Sequence, residues 1–188
     1  MAHCCDVALM INCIGMKTLL GAVLAKRVVE SVRKNHGLEH ATIHVLGERA
    51  RRVGVAGRAD RHGFTVYGEV PTEVLANACE RALERLRAGE RALAIHPYCG
   101  TNVVTAGVLA SLVAVLALVG AGRGWRARLA RLPWLISLMT GTLIISQPLG
   151  LAIQRDVTTS ADLGGLEIVS IKRHRIGVFT LHRVETRG

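Results

Sequence analysis

The chain has 188 residues, of which 50% are hydrophobic and 3% aromatic, and it carries a formal net charge of +10. That length asks for one domain. The charge does not mark a nucleic-acid binder: the arginines flank apolar runs, where anionic lipid headgroups account for them, and so few aromatics leave almost no stacking surface.

In chain order, Val7–Leu24 is mostly apolar with Lys17 in its middle and runs on into Lys26–Lys34, where apolar residues recur at helical spacing. This predicts an amphipathic helix on a membrane surface or against other helices, with a third span as the alternative. No positive region precedes the stretch and no small-residue cleavage site follows it, which argues against a cleaved signal peptide.

Residues 36–44 read His-Gly-Leu-Glu-His-Ala-Thr-Ile-His. On a helix, His36, His40 and His44 share one face, because every fourth residue lies about one turn further along. The first five residues match His-x-x-Glu-His, the inverted zincin pattern, in which two imidazoles hold zinc and the glutamate activates a water. His36 and His44 lie about 12 Å apart along the axis, so His44 belongs beside the site, in a second site or in the core. The plainer reading makes Asn35 an N-cap and Glu39 a first-turn acid.

Short β-rich runs around Asp60-Arg61-His62-Gly63, from Val53 to Val70, predict a hairpin. Pro71-Thr72-Glu73 opens a helix that Thr72 can cap, with Val74, Leu75, Ala78, Ala82, Leu83 and Leu86 as its apolar stripe and Gly89 as its stop. Ala92–His96 is a strand candidate leading into His96-Pro97-Tyr98-Cys99. Imidazole and thiolate are common zinc ligands, so His96 and Cys99 are candidates to complete a shell begun by His36 and His40. Glu73 and Glu80 are carboxylate alternatives.

No charge occurs between Arg91 and Arg123, or between Arg131 and Arg155. Roughly 20 apolar residues cross a bilayer, so 103–121 and 133–153 read as a transmembrane hairpin joined by an arginine-rich loop. Positive charge sits on both sides, and the positive-inside rule nearly cancels. Five cysteines (Cys4, Cys5, Cys13, Cys79, Cys99) without disulfide-framework spacing point to a reduced, cytoplasmic-facing headpiece. Leu166–Lys172 and Ile176–His182 predict two more strands turning at His174-Arg175. Two strands alone are marginal, so they join the sheet begun at 53–70. His62, His174 and His182 read as surface groups, and Asp156 and Asp162 as turn caps.

The expected fold is thus an α+β headpiece, with a small mixed or antiparallel sheet, anchored by a transmembrane helical hairpin. Residues 1–102 supply the N-terminal helices, β-hairpin and following helix, 103–153 the membrane hairpin, and 154–188 the β-hairpin that completes the headpiece.

Asn35–His44, Gly63–Gly68 and His96–Asn102 together resemble a family of small bacterial membrane proteins grouped as a domain of unknown function. The resemblance runs from about residue 30 through the second span and implies a bacterial membrane protein; with the two spans, the expected location is the bacterial inner membrane, multi-pass. It carries no activity. Similarity to the inverted zincin peptidases is confined to His36, Glu39 and His40; their distant glutamate ligand would fall here in the first span, so only local chemistry can be shared.

Two functions are compatible with these residues. One is a membrane-anchored zinc hydrolase or peptidase, with His36, His40, His96 and Cys99 as candidate ligands and Glu39 as the base. The other is a non-catalytic accessory or assembly subunit whose metal site or histidine cluster is structural, and whose spans, with small residues Ala106, Gly107, Ala110 and Gly141, dock other membrane-protein subunits. Haem ligation lacks the Cys-x-x-Cys-His attachment.

Overall fold

The computed structural model describes residues 5–49, 54–119, 124–177 and 179–188, with the side chains of the first helix placed from Ala25 to Glu48. Helix α1 (Cys5–Arg49) is a single run of 45 residues, about 67 Å long at 1.5 Å per residue. No proline interrupts Lys26–Asn35, so the apolar segment and the histidine run form one helix rather than two. Asn35 is therefore not an N-cap. It is buried in mid-helix, donating through Nδ2 to the Asp60 carbonyl at 2.8 Å and accepting through Oδ1 from the Thr186 hydroxyl at 2.6 Å. The expected amphipathic character of Val7–Leu24 falls on side chains outside the described residues.

Strands β1 (Ala56–Asp60) and β2 (Gly63–Tyr67) pair antiparallel around Arg61-His62. The predicted hairpin is present, although its first residue, Val53, lies outside the described residues. Helix α2 (Thr72–Arg87) buries Leu75, Ala78, Ala82 and Leu86 of the predicted stripe, and Cys79 beside them. Its N-cap is Pro71, and no side chain caps it. Thr72 lies within the helix, with its hydroxyl 3.2 Å from Nε2 of His182. In place of the expected strand at Ala92–His96 there is a 3-10 turn, Arg91–Ala94. It follows Gly89, whose φ of +96° reverses the chain toward α1.

Helices α3 (Gly100–Leu118) and α5 (Leu132–Ile153) pack on one another, with the short α4 (Trp125–Leu129) between them. Both α3 and the run Leu132–Thr158 are long and apolar enough to cross a membrane. Their outer surfaces are apolar and exposed, with Val103 and Leu116 each at 70% and Ile144 at 68%. A soluble helix would bury one stripe and keep the other face polar. At the base of this hairpin a buried amide network ties the two ends together. The Asn102 Nδ2 donates to the Pro97 carbonyl at 2.6 Å, Gln154 Nε2 to Asn102 Oδ1 at 2.7 Å, and the His96 amide to Gln154 Oε1 at 3.0 Å. Gly150 lies against Asn102, leaving no room for a Cβ.

Strands β3 (Glu167–Ile176) and β4 (Phe179–Arg187) are longer than predicted, and their turn is at Gly177, whose φ is +61°. Only a residue at ease in the left-handed region reverses the chain so tightly, and Gly177 supplies it where His174-Arg175 would not. The sheet is antiparallel in the order β1-β2-β4-β3, so the C-terminal strands do join the first hairpin. Its inner face, with Phe64, Val66 and Val184, packs with Leu38, Ala41 and Val45 of α1 and Leu75 and Ala82 of α2 in one core.

Candidate metal centre

His36 and His40 stand one turn apart on α1, their ring centroids 4.4 Å apart. Each ring is held from behind. His36 Nδ1 lies 3.0 Å from the Thr158 carbonyl and His40 Nδ1 2.8 Å from the Ala94 carbonyl. A carbonyl oxygen only accepts, so both Nδ1 atoms carry the proton, which leaves each neutral ring its Nε2 lone pair for a ligand. Backbone carbonyls behind metal-ligating imidazoles fix tautomer and orientation in this way.

The segment after α5 supplies the first of these carbonyls, and it is strapped across α1. The Ser160 amide donates to the Arg33 carbonyl at 2.9 Å, and the Arg33 guanidinium donates to the carbonyls of Thr159 and Asp156, each at 3.1 Å. The strap approaches so closely that a Cβ on Gly37 would run into the Ser160 carbonyl. This explains a glycine inside a helix, where it costs about 1 kcal/mol against alanine.

Cys99 closes the cluster. It is the N-cap of α3, where its sulfur accepts from the Thr101 amide at 3.4 Å, and it lies 3.3 Å from His36 Nε2. Burial raises the thiol pKa, but the imidazoles of His36 and His40 and the Thr101 donors outweigh it and bring the thiol down to about 5. Burial works equally against the protonated form of His36. There the hydrogen bond and charge of Cys99, with the charge of Glu39, prevail and hold its pKa above the ordinary value. The ligand atoms of His36, His40 and Cys99 all lie within 4.8 Å of one another, so this group could hold a metal ion.

Glu39 is 4% exposed. Burial raises its pKa, partly offset by the charges of His40 and His36. Its carboxylate lies against the backbone of Gly57, where a Cβ would strike Oε1. Among the described residues no hydrogen bond holds that carboxylate. Glu39, His36, His40 and Cys99 line one cavity of ≈ 400 Å³, walled by α1, by β1 and by the chain entering α3.

The other predicted residues fall in different places. His96 shares the cavity wall but stands outside the three-ligand group, its ring centroid 5.8 Å from that of His40 and 4.8 Å from that of His44. Burial and the charges of His44 and His40 push it down to about 4. His44 lies with Nε2 2.9 Å from the Ile95 carbonyl, beside the site. Glu73 and Glu80 are exposed on α2 and do not line the cavity, so neither is placed to complete a shell. His62 and His174 are exposed, as expected. His182 is not: it is fully buried against Thr72, with Nδ1 unpartnered among the described residues. Asp162 caps a turn through the Gly164 amide, whereas Asp156 pairs with Arg155. Sequence reasoning missed Gly37, Gly57 and Thr158. The signal for the two glycines was their position inside a helix and a strand, which marks a close backbone approach.

A family model for a domain of unknown function, DUF6391, matches residues 31–171, from the turn before His36 through both apolar helices and into β3. The chain belongs to this family. An uncharacterized protein of Picosynechococcus sp. is 35% identical to it over 144 residues, covering 70% of this chain and 67% of that protein. No solved structure matches the chain. The DUF6391 match contains all four residues gathered at the cavity, and it carries no activity.

Proposed function

We propose that this protein is a membrane-anchored zinc hydrolase, with His36 Nε2, His40 Nε2 and Cys99 Sγ as its ligands and Glu39 as its general base. The observation that carries the reading is the convergence of a two-histidine helix face, a thiol with depressed pKa and an unbonded buried carboxylate on one cavity. His36, His40 and Cys99 would hold the ion, and a set of three protein ligands would allow water or substrate to bind it as well, as in catalytic rather than structural zinc sites. When bound, zinc lowers the pKa of water toward about 7 and polarises a substrate carbonyl.

Glu39 accepts a proton from the attacking water as the carbon–oxygen bond forms. It then delivers that proton to the amide nitrogen as the carbon–nitrogen bond breaks, and the amine leaves with the carboxylic acid, whose remaining proton passes to the amine to give ammonium and carboxylate. Its raised pKa suits both transfers. Thr158 and Ala94, through their carbonyls, keep the two imidazoles in the ligating tautomer throughout.

The apolar, exposed surfaces of α3 and α5 support a bilayer anchor, with Cys99 at the foot of the first span and hence the cavity at the membrane surface. The headpiece is assigned to the cytoplasmic side of a bacterial inner membrane on its reduced-type cysteine pattern.

A structural role for the metal is the second reading. It is favoured by the way the cluster joins α1 to the foot of α3, where an ion would staple the headpiece to the hairpin of an accessory subunit. Glu39→Gln separates the two. A hydrolase loses turnover while keeping its zinc, whereas a structural site leaves the protein's function intact.

A further inference from the structure

The cavity beside the cluster is walled on one side by β1, an edge strand of the sheet. A two-residue turn closes on a hydrogen-bonded pair, here Asp60 with Gly63, and in an antiparallel ladder such pairs alternate. Arg58 with Thr65 and Ala56 with Tyr67 are then bonded pairs. Gly57 and Ala59, opposite Val66 and Phe64, turn their N–H and C=O groups to the open edge. No backbone hydrogen bond to another element engages either residue among the described residues. Asn35 donates to the carbonyl of Asp60, which belongs to a bonded pair, so this contact leaves the outward groups of Gly57 and Ala59 unengaged.

An open edge invites pairing with another chain, and proteins commonly blunt it with charge, proline or a covering element. At Gly57 there is instead a residue without a side chain, packed on Glu39, and both open-edge positions line the cavity that holds the ligand cluster. Arg58, between them, is exposed and lines the same cavity; no ion pair holds it among the described residues.

We infer that the substrate is an extended polypeptide segment, bound as a fifth strand on β1 through the backbone of Gly57 and Ala59, with an acidic group of the peptide facing Arg58. The inference rests on the hydrolase reading for its chemistry, but strand addition is a binding event that can be measured without turnover. Edge pairing supplies affinity from the main chain and leaves alternate side chains to set preference. It also lays a peptide bond along the wall that carries Glu39, His36 and Cys99. A lipid or a small amide has no second donor–acceptor pair two residues away and gains nothing from the edge.

The test uses full-length protein in detergent, zinc-loaded, with Glu39→Gln so that peptides are bound but not cut. A synthetic random heptapeptide library containing Asp and Glu serves as the probe, and the best-retained peptide is resynthesised with a single N-methyl group at each position in turn. Binding is expected to fall about tenfold at two positions spaced by two, with the intervening position unaffected. Arg58→Gln should weaken acidic peptides about threefold to tenfold while leaving zinc content unchanged.

Ala59→Pro removes one outward N–H without touching the ladder to β2 and should reproduce the loss at unchanged melting temperature. Failure of the library to yield a bound peptide, or a methyl scan without alternation, overturns the inference. The wild-type protein, incubated with the same peptide, reports separately on hydrolysis. Binding with alternation but no cleavage would leave strand addition standing and remove the hydrolase.

Discussion

His40 Nδ1 lies 2.8 Å from the carbonyl oxygen of Ala94, and this one contact joins the histidine helix to the 3-10 turn that precedes Cys99. It fixes the tautomer of His40 and, with the Thr158 carbonyl behind His36, leaves His36 Nε2 3.3 Å from the sulfur and the ligand atoms of all three residues within 4.8 Å of one another. The cluster is thus arranged in a form that could receive an ion without rearrangement. Such preorganisation supports affinity, because little conformational freedom remains to be lost on binding.

The depressed thiol pKa predicts selective alkylation. In metal-free protein Cys99, brought to about 5, should react with iodoacetamide at a rate nearly flat down to pH ~6. Cys79, buried and pushed up to about 12, should stay unmodified until the protein unfolds. Zinc should protect Cys99. Peptide-level mass spectrometry reads both sites, and equal labelling of Cys79 and Cys99 in folded protein would contradict the assignment.

Gly37→Ala reverses the usual propensity argument. In an exposed helix the change stabilises, but here the new methyl meets the Ser160 carbonyl, so the strap must lift and His36 loses its Thr158 partner. We expect a loss of about 1–3 kcal/mol, read by thermal denaturation, together with at least tenfold weaker zinc binding, the order seen when groups behind metal ligands are removed.

Gly57→Ala should act on chemistry rather than on stability. Its Cβ displaces the carboxylate of Glu39, the mobile end of a side chain, and leaves His36, His40 and Cys99 in place. On the proposed hydrolase reading, hydrolysis should fall by at least tenfold with zinc content unchanged. Loss of zinc instead would show that β1 supports the ligands and not the base.

The legible part of this molecule was local. His36, Glu39 and His40 declare themselves because helical periodicity converts spacing directly into a shared face, and the stripe of α2 follows the same rule. Residues whose role depends on a distant approach were not legible. Asn35 passes for a cap until β1 and β4 arrive on either side of it, and His182 looks exposed beside Arg183 until Thr72 covers it. Cys99 could be nominated as a ligand from its chemistry, but its union with His36 is tertiary. The carboxylate alternatives Glu73 and Glu80 lie away from the cavity because the buried stripe of α2 turns both of them to solvent.

The Asp60–Arg183 pair offers a stability test with a defined sign. Two hydrogen bonds of 2.7 and 2.8 Å from the guanidinium, followed by the His62 amide, hold the Asp60 pKa below its ordinary value. A carboxylate lowered on folding contributes stability above its unfolded pKa and loses it as pH falls through the folded one. Screening at this largely exposed site limits the contribution to about 1 kcal/mol or less. Asp60→Asn should therefore lower the melting temperature near pH 7, and the difference from wild type should vanish in acid. A constant difference at all pH values would show that the ion pair is not the cause.

Metal content tests the central claim most directly. The protein, purified in detergent without a histidine tag and exposed to zinc, should retain about one ion per chain by elemental mass spectrometry. His36→Ala, His40→Ala and Cys99→Ala should each lose it, and Glu39→Gln should keep it. A wild-type chain that retains no metal, or a Cys99→Ala variant that retains as much as wild type, would contradict the site described here.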